Sequence, residues 1–193
     1  MITFKRLSLW GINSFKNGLR LHFDSIILLK NRAYPSAIML SILAMEEFGK
    51  YFLLSTYIFD TQINHIRDLK FEKEFLDKLY DHPFKQAACF DIDGFLPSSS
   101  KMEKAQERFF ENLKQRAIYV GFERKKGQIN FDTHLNNPGK INKSVALKQI
   151  SFLNKLLINL VSDHIKGIIE MDEEKINDLL NRKLLLRLQS SFN

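Results

Sequence analysis

One stretch constrains this chain more than any other. From Ala33 to Phe59 the residues are apolar almost without interruption, yet Glu46, Glu47 and Lys50 sit near the middle. At helical spacing Ile38, Met39, Leu40, Ile42, Leu43, Met45, Phe48, Phe52, Leu53 and Leu54 cover most of the circumference, and a helix apolar nearly all round has to be enclosed. Lipid is a poor enclosure, because three ionisable groups at mid-depth are costly there. The stretch therefore reads as the central buried helix of a soluble bundle, about 36–58, with no membrane association expected. Pro35 suits its start, where the missing N–H has no partner to lose.

The rest of the chain supplies the enclosure. With 8 glycines and 4 prolines in 193 residues, the many turns of an all-β fold are hard to build, and long helices are favoured. A 3–4 apolar spacing predicts a first helix over 13–32, with Asn13 or Ser14 as its cap. Further helices are predicted over 62–80, briefly over 83–92 after the break at His82-Pro83, then 101–120, 144–171 and 173–188. Residues 93–100 read as a loop. Residues 121–139 are the longest irregular stretch, within which Gly-Gln-Ile-Asn-Phe-Asp-Thr-His-Leu (127–135) has the alternation of a short extended piece. The expected fold is all-α, a bundle of five to six helices in one domain over 1–193. Its core spans about 13–170, and 173–188 forms a C-terminal helix.

Several chemistries lack their signatures. There is no HExxH, no CxxC and no glycine-rich phosphate loop, so neither a metal nor a cofactor is expected. Cys89 is the single cysteine, which precludes an internal disulfide, fits a reducing compartment and reads as a small buried apolar residue. The opening Met-Ile-Thr-Phe-Lys-Arg lacks the pattern of a secretion signal, so a cytoplasmic location is expected.

Charge is uneven. Residues 101–150 hold eleven Lys/Arg against five acids, while 51–100 hold five against eight. The basic stretch is either an anion-binding surface, with RNA the obvious partner, or a solvated helix face.

Three constellations carry candidate chemistry. In Glu46-Glu47-Phe48-Gly49-Lys50, helical spacing puts Glu46 and Lys50 on one face with Glu47 beside them. The charges must be satisfied within an apolar helix, either as a structural cluster or as a site. Gly49 costs roughly 1 kcal/mol relative to alanine mid-helix, which points to another backbone or a ligand approaching there. In His82-Pro83-Phe84-Lys85, a histidine able to move a proton near neutrality lies three residues before a lysine able to hold a phosphate. In Arg116-Ala117-Ile118-Tyr119, arginine offers a planar fork for phosphate and tyrosine a hydroxyl one turn away. The structural alternatives are an arginine paired to an acid of the central helix and a tyrosine filling the core.

In this order the three pieces resemble the AbiV abortive-infection family. The run from Ala37 to Lys50 is similar to its small-and-apolar stretch leading into E-E-x-G-K. His82 and Lys85 resemble its H-x-x-K, and Arg116 to Val120 its R-x-x-Y-V, with Pro138 in the following loop. The resemblance covers about 13–170. It implies a HEPN-like helical fold, a homodimer and action during phage infection, with a phage-encoded activator and RNA as partners. Many HEPN proteins are metal-independent ribonucleases with an arginine and a histidine separated by four to six residues; this sequence has no such pair. A ribonuclease site would instead be assembled from separate helices. His82 would transfer the proton. Arg116 and Lys85 would stabilise phosphate charge, with Lys114 as a further phosphate contact. Glu47 and Lys50 would orient partners, Tyr119 would position substrate, and Glu46 would form a structural ion pair. The 121–139 loop, with Gly121, Gly127 and Gly139, is the expected moving part of the switch. The competing reading is a non-catalytic interaction protein whose buried charge cluster fixes the bundle or dimer. A weaker one is a membrane-surface toxin acting through Lys175, Arg182, Lys183 and Arg187.

Overall fold

The computed structural model describes residues 2–64, 68–89, 108–122, 124–125, 128–129, 135–166 and 174–192. Helix α1 covers Phe4–Lys30 and α2 Tyr34–Asn64. Joined by three residues, they form the most extensive helix pair among the described residues. Helix α1 begins well before residue 13 because its cap is Thr3, whose side chain accepts from the Arg6 N–H, and neither Asn13 nor Ser14 serves. The added turns have their own packing: Ile2, Phe4, Leu7 and Trp10 join a cluster with Leu54, Tyr57 and Leu79.

Helix α2 likewise runs past residue 58, so the helix expected over 62–80 is represented by the end of α2 and by α3, Leu69–Lys78. Asp68 caps α3 through the Lys70 N–H. Helix α4, His82–Ala88, starts where the His82-Pro83 break predicts, with Asp81 accepting from the Phe84 N–H. Helix α5, Phe109–Ile118, is shorter than the helix expected over 101–120: its N-cap residue, Arg108, is left-handed (φ 61°) and Tyr119, its C-cap, is extended. Residues 101–107 and the predicted 93–100 loop lie outside the described residues. In the 121–139 stretch, β1 (Arg124–Lys125) pairs antiparallel with β2 (Gln128–Ile129), and Gly121 bridges to Asn136. Gly127 lies outside the described residues. Helix α6, Lys143–Ile165, is capped by Asn142.

The single helix expected over 173–188 is two: α7, Glu174–Asn177, and α8, Arg182–Gln189. Asn181 makes the break. Its Oδ1 accepts from the Leu184 N–H while its Nδ2 donates to Asp178 O, and a side chain that caps in this way competes with helix continuation. Eight α-helices therefore stand among the described residues against five or six expected, and the fold is all-α apart from the two-residue strands.

Helix α2 is the centre. It packs against α1, α4, α5 and α6. Phe48, Met45, Ile42 and Ile38 are fully buried, each burial being worth about 1.5–3 kcal/mol. The Phe15 ring meets Phe48 edge-on at 5.2 Å and Tyr51 at 5.1 Å. Gly18 allows this approach: a Cβ there would lie 2.8 Å from the Phe48 ring. At the far side, buried His22 donates from Nε2 to Asn154 Oδ1 at 2.9 Å, and Asn154 Nδ2 donates to Leu188 O at 3.1 Å. With the Arg187 guanidinium 3.6 Å from the Phe23 ring centroid, these contacts fasten α8 to α1 and α6. Among the described residues, no helix is long and apolar enough to cross a membrane.

Candidate active site

Glu46 is 3% exposed, on the side of α2 that faces α4 and α5. A carboxylate so placed needs several partners to offset its lost hydration. It has them. Oε2 lies 2.7 Å from His82 Nδ1, a hydrogen-bond distance, and Oε1 accepts from Gln86 Nε2 and Lys114 Nζ, each at 2.9 Å. Lys85 Nζ stands 3.8 Å from Oε2. Lys114 also pairs with Glu111 of its own helix at 2.7 Å. The neighbouring Glu47 and Lys50 bond each other at 2.7 Å. Of the two acids that share a face with Lys50, it is Glu47 that Lys50 bonds, while Glu46 reaches across the helix interface.

The close approach of α4 makes this possible. A Cβ on Gly49 would fall 1.8 Å from the Lys85 carbonyl oxygen, so the backbone inferred to approach Gly49 is that of α4. It brings His82, Lys85 and Gln86 onto the charged face of α2.

Electrostatics follow from this crowding. Burial pushes the Lys85 ammonium below its ordinary range; Glu46 opposes the shift and Lys50 adds to it. Lys114 goes the other way, since hydrogen bonds to Glu111 and Glu46 outweigh its burial and raise it. Glu111 is held below the usual carboxylate range, because Lys114 and Gln115 overcome the effect of its own burial. Burial also raises the Cys89 thiol, which keeps it protonated and unreactive.

The structure thus gathers Glu46, Glu47, Lys50, His82, Lys85 and Lys114 into one cluster. It does not bring Arg116 and Tyr119 into it. Lys114 is buried against Glu46, and Arg116, two residues on, lies about 200° round α5. Arg116 is exposed and makes no ion pair among the described residues. Tyr119 ends α5 and is 60% exposed, so it does not fill the core either.

Two members were missed in the sequence. Gln86 carries no signal of its own. Glu111 and Lys114 are three apart on one helix, a spacing that marks them as a pair, but nothing local says that Lys114 is shared with Glu46. Atoms of Glu46, His82 and Glu111 lie within 4.8 Å of one another, a spacing that could hold a cation. The Lys114 ammonium already bonds both carboxylates, so a metal ion would have to displace it.

An all-α bundle whose central helix carries a buried carboxylate ringed by a histidine and two lysines defines a helical module with a charged site at a helix crossing. A family model for HEPN_AbiV, described as AbiV, matches residues 10–159, and the chain belongs to this family. Membership places it among abortive-infection proteins of HEPN type. The match takes in every residue of the cluster and stops before α7 and α8. No curated protein and no solved structure gives a match.

Proposed function

We propose that this chain is an antiphage effector that cleaves RNA as a metal-independent endoribonuclease once a phage component activates it, acting as a cytoplasmic homodimer. The observation that carries the reading is the position of His82. Its side chain is 48% exposed, while those of Glu46, Lys85 and Lys114 behind it are 4%, 9% and 6% exposed. A proton-transfer group therefore stands at the mouth of a fixed charged cluster, within reach of a bound chain. In the reaction the 2′-oxygen attacks phosphorus and the P–O5′ bond breaks, giving a cyclic phosphate and a 5′-hydroxyl. His82 takes the 2′-proton and water protonates the departing oxygen. Lys85 and Lys50, cations of the same cluster, offset the growing phosphate charge. Arg116 and Tyr119, exposed on α5, bind the flanking chain.

The test uses purified protein and total cellular RNA in EDTA, with and without lysate from phage-infected cells. Cleavage by the parent that depends on lysate and is lost in a folded His82→Ala variant is expected. Equal cleavage by both proteins would remove His82 from the reaction.

One observation favours a second reading, a non-catalytic interaction protein. The cluster is already balanced: Glu46 and Glu111 face Lys85 and Lys114, and Glu47 faces Lys50. Such a network can serve to fix a helix crossing. Retention of RNA or of a protein partner without cleavage in any lane would select it.

A further inference from the structure

We infer that Glu46 is a positioning residue: it holds His82 as the Nδ1–H tautomer, so that the proton exchanged with substrate passes through Nε2. An ionised carboxylate only accepts hydrogen bonds. With Oε2 2.7 Å from Nδ1, the proton must lie on Nδ1. The opposite tautomer would set a nitrogen lone pair against the carboxylate at that distance.

The carboxylate is itself immobilised. Oε1 is fixed by Gln86 and Lys114, and Lys114 is anchored in turn by Glu111. The imidazole is pinned from its backbone as well. His82 is the first residue of α4, between the capping Asp81 and Pro83, and proline restricts both its own φ and the residue before it. A ring held at Nδ1 by a buried group, on a side chain half open to solvent, directs Nε2 outward. A buried carboxylate that orients a histidine in this way sets which nitrogen works and stabilises the imidazolium formed as it takes a proton. The absence from the sequence of an arginine separated from His82 by four to six residues is then no obstacle, because orientation comes from α2.

The inference rests on the ribonuclease reading only for its kinetic consequence; the tautomer is a property of the resting protein. Long-range proton–nitrogen NMR spectra of protein labelled with 15N-histidine, recorded above the pH range where imidazole titrates, read it directly. His82→Asn identifies the signal. The parent is expected to show His82 as Nδ1–H. Glu46→Gln is expected to lose that preference, because an amide can donate to Nδ1 as well as accept from it. In cleavage assays kcat should fall at least about tenfold with KM little changed, as for an interaction used in the transition state. An Nε2–H tautomer in the parent would overturn the inference whether or not Glu46→Gln folds. So would a folded Glu46→Gln protein with an unchanged tautomer. If the tautomer shifts as expected while the parent cleaves no RNA, the positioning role stands and the ribonuclease reading falls.

Discussion

Gly49 and Lys85 meet backbone to backbone: a methyl group on Gly49 would sit 1.8 Å from the Lys85 carbonyl oxygen, 2.7 Å from its carbon and 3.2 Å from the Cys89 nitrogen. Helix propensity alone says that alanine should improve α2 by roughly 1 kcal/mol. Steric overlap with a main chain that cannot rotate away reverses the sign. Gly49→Ala should lower stability by about 1–3 kcal/mol, the usual range for overpacking, measured by urea unfolding. An unchanged or raised midpoint would show that α4 does not lie against α2.

Truncating Glu46 should be among the most damaging single changes. Glu46→Ala leaves Lys114 and Lys85 facing an apolar helix, and breaking a buried pair in this way costs about 3–5 kcal/mol. Pairing Glu46→Leu with Lys114→Met should recover part of that loss, since these two charges leave together while Lys85 and Glu111 still lose a partner. A double variant as unstable as the single one would mean that the cluster is not coupled as the 2.9 Å contact indicates.

His22 gives a pH dependence of known sign. Burial, opposed by the bond to Asn154, lowers its pKa from 6.5 to about 4. Between those values the unfolded chain binds a proton that the folded one refuses. Stability is therefore full above about pH 6.5 and is lost as pH falls towards 4, by about 3 kcal/mol in total. Thermal melts from pH 7.5 down to 4.5 should show this, and His22→Gln should flatten that part of the curve. Because Asn154 also holds Leu188 O, release of α8 should accompany the loss and be visible as earlier proteolysis near the C-terminus.

Arg116→Ala should separate binding from folding. The side chain is exposed and makes no ion pair among the described residues, so the melting temperature should stay within the spread of surface substitutions, about 0.5 kcal/mol. Under the proposed function RNA retention should weaken, and its dependence on salt should become shallower by about one unit in the log–log slope. Unchanged retention would remove Arg116 from the RNA surface.

Much of this molecule was legible in its residues. The unbroken apolar run with three charges at its centre required a buried central helix and a polar cluster to receive those charges. Gly49, unfavourable in any isolated helix, announced a close neighbour. The family was legible too, because the ordered E-E-x-G-K, H-x-x-K and R-x-x-Y-V elements stand in one chain. Helix ends were not all legible. Thr3 and Asn181 cap helices in which Leu7 and Leu188 are buried, and capping propensity alone does not choose among several candidate residues. Pairing was decided by tertiary structure. At helical spacing Glu46 had Lys50 four residues away, but in the bundle it is bound by His82, Gln86 and Lys114, which lie 36, 40 and 68 residues on. Arg116 and Lys114 are both cationic and two residues apart, yet helical rotation buries one and exposes the other. Sequence spacing fixes which side chains share a face. Only the packing of α4 and α5 on α2 fixes what that face meets, because a buried charge takes the partners that the helix crossing brings within about 3 Å.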